Sequence, residues 1–185
     1  MVLTSTTGSV DHLPNATLPP FKIFIGYDSR EDAAFEVCRH SLLKHSSIPL
    51  KISAIKQLDL RAAGLYWRDR GPTESTDFSF TRFLTPYLAG FQGWAMFVDC
   101  DFLYTADIAD LVTLLDDSYA VMCVHHDYAP TEATKMEDEN DSSTFPKAIH
   151  YTSGGPWFEM YKDCKFADLW LMGLDEFTKE KLAEN

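Results

Sequence analysis

Positive charge is what this chain has least of. Its 185 residues carry 16 Lys and Arg against 28 Asp and Glu, a formal net charge of -12. That balance argues against a nucleic-acid binder, because a phosphate backbone must be met by a basic footprint. It argues equally against docking on anionic membranes. It leaves room for a phosphate-bearing small molecule, since a divalent cation can supply positive charge locally. Long apolar runs are missing too: none approaches the ~18 residues of a membrane span. The N-terminus lacks the basic and apolar regions of a secretory signal. A cytoplasmic protein is therefore expected, with a Golgi address left open. Cysteine is sparse. Cys38, Cys100, Cys123 and Cys164 form no Cys-x-x-Cys pair and fit no zinc spacing. They read as free thiols, buried or half-buried.

What is present is enough for a folded core: 45% hydrophobic and 14% aromatic residues. Residues 1–20, rich in Ser, Thr, Gly and Pro, read as a disordered leader. Residues 21–174 read as one domain, with an acidic segment near 130–145 and a polar tail over 175–185. Phe21–Ile25 has the β-branched and aromatic character of a strand. A turn at Gly26–Arg30 follows, in which Asp28 or Ser29 can cap a helix carrying Ala33, Ala34, Val37, Leu42 and Leu43. Leu50–Ile55 is a second strand. This β-α-β start predicts a right-handed crossover and a parallel sheet, hence an α/β fold, mostly parallel and Rossmann-like. Asp59–Asp77 reads as an irregular loop with a short helical stretch around Leu60–Leu65. Phe80–Leu88 reads as a helix interrupted by Pro86, with Arg82 on an otherwise apolar face. Helices are also expected over Asp107–Leu115 and Phe158–Leu174. A buried strand is expected over Tyr119–Val124 and a short one over Pro146–Tyr151. His125, His126 and Asp127 follow Val124 and read more readily as polar strand-end residues than as metal ligands.

The chain is organised around Trp94–Tyr104. The apolar run Ala95–Val98 has the pattern of a strand buried on both faces. Asp99 and Asp101 fall where it ends, and in open α/β sheets ligands bind at the carboxyl ends of strands. Two carboxylates fixed there repel each other unless a proton or cation lies between them, and hard divalent cations favour such oxygens. Asp-x-Asp is common in acidic chains as a solvated turn or a helix cap, so the tripeptide alone leaves both readings open.

Four words in order carry a resemblance. They are Phe24-Ile-Gly-Tyr-Asp28, Arg82 with Pro86, Phe97-Val-Asp-Cys-Asp101, and His150-Tyr-Thr-Ser-Gly-Gly-Pro-Trp157. Over most of residues 21–170 the sequence resembles the nucleotide-diphospho-sugar transferases, closest to family 8-type glycosyltransferases of the GT-A fold. The resemblance implies a retaining transfer from a nucleotide-diphosphate sugar, with UDP the commonest nucleotide, to an acceptor it does not identify. It implies that Asp99, Asp101 and His150 hold manganese (or magnesium) on the donor diphosphate. It places Tyr27 and Asp28 near the nucleotide, Arg82 on the donor, and Gly154 and Gly155 where backbone meets diphosphate. No catalytic residue follows from it.

The sequence departs from that pattern twice. The resembling proteins usually carry a lysine where Gly155 stands, so a positive contact must come from elsewhere, with Lys147 or Lys162 as candidates. Only 49 positions separate Asp101 from His150, far fewer than those proteins spend on acceptor-binding elements. An acceptor-side block is therefore expected to be missing, with its junction near Glu139–Ser142, and poor order is expected over 130–145. The alternative function is then a catalytically inactive shortened form that at most binds nucleotide and metal. A generic α/β phosphatase also uses Asp-x-Asp, but has no place for the His150–Trp157 word. Trp67, Trp94 and Trp170 would serve a core or a homo-oligomer interface equally well.

Overall fold

A computed structural model describes residues 2–4, 19–124 and 145–183. The strands are β1 (Val2–Thr4), β2 (Phe21–Gly26), β3 (Leu50–Ile55), β4 (Ala95–Val98), β5 (Phe102–Tyr104), β6 (Val121–Cys123) and β7 (Ala148–His150). The α-helices are α1 (Asp32–His45), α2 (Gln57–Ala62), α3 (Thr85–Leu88), α4 (Ala109–Val112) and α5 (Ala167–Ala183). The main sheet runs β3-β2-β4-β1-β6 and a separate pair joins β5 to β7. β2 pairs in parallel with β3 and with β4, so the mixed α/β fold contains a three-strand parallel sheet flanked by helices.

The parallel strands form because they have somewhere to hide both faces. Ile23 and Ile25 of β2 are fully buried, as are Ala95, Met96 and Val98 of β4. Each such side chain contributes roughly 1.5–3 kcal/mol over an exposed one, Ala95 less. One side of α1 packs Phe35, Cys38 and Leu42 into this core. Its other side gives Val37 to a second core with Leu103, Ile149, Tyr151 and Trp170. α1 thus ties the main sheet to the β5–β7 pair and to α5, which explains why its buried stripe is unusually wide.

Strand order fixes where a ligand can sit. From β2 the chain crosses outward to β3, then returns past β2 to β4. The direction reverses between β2 and β4, and the crevice beyond their carboxyl ends is the switch point at which open α/β sheets bind ligands. Tyr27 and Asp28 follow β2 there, and Asp99 follows β4.

Several expectations need correction. Val2–Thr4, inside the expected leader, forms β1 and lies antiparallel between β4 and β6. A three-residue strand has no periodicity to read; it exists because the far edge of buried β4 needs hydrogen-bond partners. The strand expected over Tyr119–Val124 shrinks to β6, and it is exposed rather than buried: Val121 is 51% and Val124 53% accessible. It is the outer strand of the sheet, so β-branched content signalled a strand but not its depth. The helix expected over Asp107–Leu115 is α4 with only four residues. Phe158–Leu174 is not one helix: a 3-10 turn at Glu159–Tyr161 precedes a break at Phe166, whose φ is +62°, and α5 then runs on to Ala183. Thr81–Leu84 is 3-10, and α3 begins at Thr85 with Pro86 in its first turn, where a missing N–H costs nothing. The short helical stretch after β3 is α2, three residues earlier than expected. His125, His126, Asp127 and nearly all of the acidic segment lie outside the described residues.

Candidate metal centre

The Asp99–Asp101 turn and β7 meet by strand pairing. β5 begins immediately after Asp101, and its Phe102 pairs in antiparallel register with His150. The Tyr151 N–H donates to the Asp101 carbonyl oxygen at 2.9 Å, extending the ladder by one step. A histidine 49 positions away is thereby held beside the second aspartate. His150 Nε2 lies 3.2 Å from Asp101 Oδ1. The imidazole stacks on the Phe102 ring, centroids 4.2 Å apart and planes within 10°. Its Nδ1 is 3.2 Å from the Thr152 hydroxyl, the kind of outer contact that fixes the orientation of a metal-ligating histidine.

One ligand atom from each of Asp99, Asp101 and His150 lies within 4.8 Å of the other two, a group able to hold a metal ion. Ligands bound about 2.1 Å from one octahedral centre stand about 3 Å apart, so a small side-chain contraction would suffice. The orphaned atoms support a cation there. Asp99 Oδ1 and Asp101 Oδ1 are both buried, and neither has a hydrogen-bond partner among the described residues. A buried carboxylate oxygen that accepts no hydrogen bond is costly, and two so close together are what a cation would relieve. Burial pushes the Asp99 carboxyl above the ordinary range; Arg82 opposes this, while neighbouring Asp101 adds to it.

Arg82 reaches the same point from the other side. Its Nη2 is 3.3 Å from Asp99 Oδ1. The guanidinium lies over the Phe78 and Phe97 rings, at 5.2 and 5.1 Å, and Nε donates to the Phe78 carbonyl at 3.3 Å. The arginine on an apolar face is thus paired with a carboxylate.

Asp28 sits at the switch point but is fully committed. It is inaccessible to solvent. Its Oδ1 accepts from Arg30 Nε at 2.9 Å and from the Arg30 N–H at 3.0 Å; its Oδ2 accepts from Arg30 Nη2 at 2.6 Å and from the Asp77 N–H at 3.1 Å. Burial alone would raise this carboxyl, but the bonds from Arg30 and Asp77 outweigh it and hold it at about 2. Asp28 therefore anchors the loop before α3. Arg30 also donates to the Ser75 carbonyl, and Arg70 pairs with Asp77 at 2.9 Å. This loop, irregular in sequence, is pinned across the end of β2. Tyr27 donates its hydroxyl to Asp32 at 2.7 Å, a bond that first among its neighbours raises the phenol to about 12. The Lys56 ammonium lies 4.2 Å over its ring.

Gly154 and Gly155 are held by packing. Gly154 has φ +113°, and a Cβ there would stand 2.6 Å from the Tyr161 ring; one on Gly155 would stand 2.1 Å from Trp157. Trp157 packs against Tyr151 and Trp170. The two lysines considered as replacements for a phosphate contact are engaged elsewhere: Lys147 with Asp110 and Lys162 with Glu159, both at 2.7 Å.

Two neighbours escaped the sequence reading. Glu31 is half-buried, and burial raises its carboxyl first, followed by the charges of Asp101 and Asp28. Cys100 donates its thiol to Glu31 at 3.9 Å. Thr152 lay inside the quoted word, but its contact with His150 depends on the turn geometry. The Cys38 and Cys100 thiols are buried and pushed well up by that burial, whereas Cys123 is exposed. An apolar cavity of about 470 Å³ lies between α4 and β5, lined by Phe102, Tyr104, Ile108, Leu111 and Leu114. It shares with the metal centre the Phe102 ring that supports His150. No helix among the described residues is long and apolar enough to cross a membrane.

No family model and no solved structure matches the chain. Protein CDI of Arabidopsis thaliana is 45% identical to it over 233 residues, taking in 89% of this chain and 90% of that protein. The 233 aligned positions exceed the 185 residues of this chain by 48, so at least 48 of them hold a residue in the relative and none here. With identity this high over nearly the whole of both proteins, the chain belongs to the family of Protein CDI.

Proposed function

We propose that this chain binds a nucleotide-diphosphate sugar, UDP-linked in the first instance, through a divalent metal, and that its chemistry is that of a retaining GT-A-type glycosyltransferase. The observation that carries this reading is the convergence of Asp99, Asp101 and His150 at the switch point, with two buried carboxylate oxygens that accept no hydrogen bond among the described residues. Two aspartates and an imidazole suit manganese or magnesium and leave positions for phosphate oxygens. When bound, the metal would neutralise the negative charge that develops on a departing diphosphate.

The residues themselves have separable tasks. Asp99 and Asp101 each supply a buried carboxylate oxygen that accepts no hydrogen bond among the described residues. Thr152 and Phe102 hold the His150 ring in place. Asp28 and Arg30 fix the loop that closes over the end of β2, and Tyr27 and Lys56 form the surface beside it. Arg82, partly exposed beside Asp99, is a positive side chain at the cluster for a diphosphate to meet.

A second reading is favoured by the alignment with the relative. At least 48 positions of that protein have no counterpart here. If they include the acceptor side, this chain binds metal and nucleotide without transferring sugar. Calorimetric titration with a panel of nucleotide diphosphates, with and without manganese, separates the readings. Manganese-dependent binding abolished in Asp99→Asn and His150→Ala supports the donor site. Turnover of a bound donor, hydrolysis included, supports the enzyme, and binding without turnover supports the shortened form. Absence of binding in both metal conditions overturns both.

A further inference from the structure

Resting on the metal-centre reading, we infer that Arg82 is a positioning residue that occupies the cation's place at Asp99, so that metal entry and anion capture are coupled. Asp99 Oδ1 is one of the two orphaned oxygens of the cluster, and Arg82 Nη2 is the cation beside it at 3.3 Å. The contact is electrostatic only: no hydrogen bond from Arg82 satisfies that oxygen, while Nε is held by the Phe78 carbonyl. The guanidinium is therefore close enough to neutralise Asp99 yet is not locked onto it.

The consequences follow from charge. A divalent ion binding Oδ1 would meet a unit positive charge only a few Å away, and like charges at that range repel strongly in a partly desolvated site. Arg82 must turn from Asp99 as the ion enters. Its guanidinium lies over the Phe78 and Phe97 rings and its side chain is about one-third exposed, so the head can turn towards solvent on its flexible stem. A guanidinium released in this way has planar donors suited to phosphate oxygens. Metal alone thus works against Arg82, whereas metal carrying a diphosphate gives Arg82 a new partner. The site favours the metal–diphosphate pair over the bare ion, which suits a chain whose net charge of -12 would otherwise draw in free divalent cations.

The test uses the full chain and two ligands: manganese alone, and a preformed manganese–pyrophosphate complex. Arg82→Met keeps an apolar stem and removes the charge; Arg82→Lys keeps a charge; thermal melting checks that both are folded. Arg82→Met is expected to bind manganese alone about tenfold more tightly than the native chain and the complex about tenfold more weakly, with Arg82→Lys between. Unchanged or weaker binding of manganese alone in folded Arg82→Met overturns the inference while leaving the metal centre standing. No manganese binding by the native chain or by Arg82→Met overturns the metal centre itself.

Discussion

The two halves of the molecule are built to different standards. Up to Tyr104, the β2–β3–β4 sheet and α1 bury long apolar stretches, and Met96, Val98, Ile23 and Ile25 have no accessible surface. Beyond it, among the described residues and until α5, the elements are short: α4 has four residues, β6 and β7 three each, and Val121, Leu114 and Val124 are more than half exposed. The metal centre straddles the boundary. Its aspartates belong to the well-packed half, and its histidine is delivered from the other half by the β5–β7 ladder. Placing functional groups at the end of a rigid strand gives them fixed geometry, while the partner that arrives late depends on a few backbone bonds and one ring stack.

That contrast can be broken or sharpened by experiment. The largest effect is expected in the sheet. Met96→Ala should cost about 2–5 kcal/mol in denaturant unfolding, whereas Val121→Ala on exposed β6 should stay within about 0.5 kcal/mol. Comparable losses at both positions would erase the distinction between the halves.

Asp28 gives the next effect, seen in acid. Its folded-state pKa of about 2 lies below the unfolded value of 3.8. A depressed carboxyl contributes stability that is fully present above the unfolded pKa and is lost as pH falls through the folded one. Stability should therefore drop between about pH 4 and 2, by an amount on the order of 2 kcal/mol, and Asp28→Asn should flatten that slope. Asp99 and Glu31 act in the opposite direction. Their raised carboxyls bind protons more readily in the folded state, so metal-free protein should gain stability as pH falls towards the ordinary carboxylate range. A monotonic loss of stability from neutral pH downwards would contradict the strain assigned to the aspartate pair.

A smaller effect is expected at the late-arriving ligand. Thr152→Val removes the hydroxyl beside His150 Nδ1 and should weaken manganese binding about tenfold with little change in melting temperature. Equal affinity in the variant would mean that Phe102 alone orients the ring.

The difference between the halves also explains what could be read in the sequence. The β-α-β start and the strand before Asp99 were legible because burial on two faces leaves a dense apolar signature that needs no partner to recognise. The pairing of Asp101 with His150 was legible only through family resemblance, since nothing local to either residue states the β5–β7 register. β1 was invisible: its three residues form a strand because β4 offers an edge, not because Val2–Thr4 has a pattern. The break at Phe166 was missed because the aromatic spacing on both sides suits a continuous helix, while the backbone there turns at a φ of +62°. Glu31 was hidden for a related reason. Near the start of a helix it reads as a dipole-compensating carboxylate, and its closeness to Asp101 arises from the fold.

Manganese binding followed by electron paramagnetic resonance tests the central claim most directly. The native chain is expected to bind one ion per molecule, with Asp99→Asn and His150→Ala folded but losing most of that binding. Equal binding by native and variant chains, or none by either the native chain or Arg82→Met, would contradict a metal centre at the carboxyl end of β4.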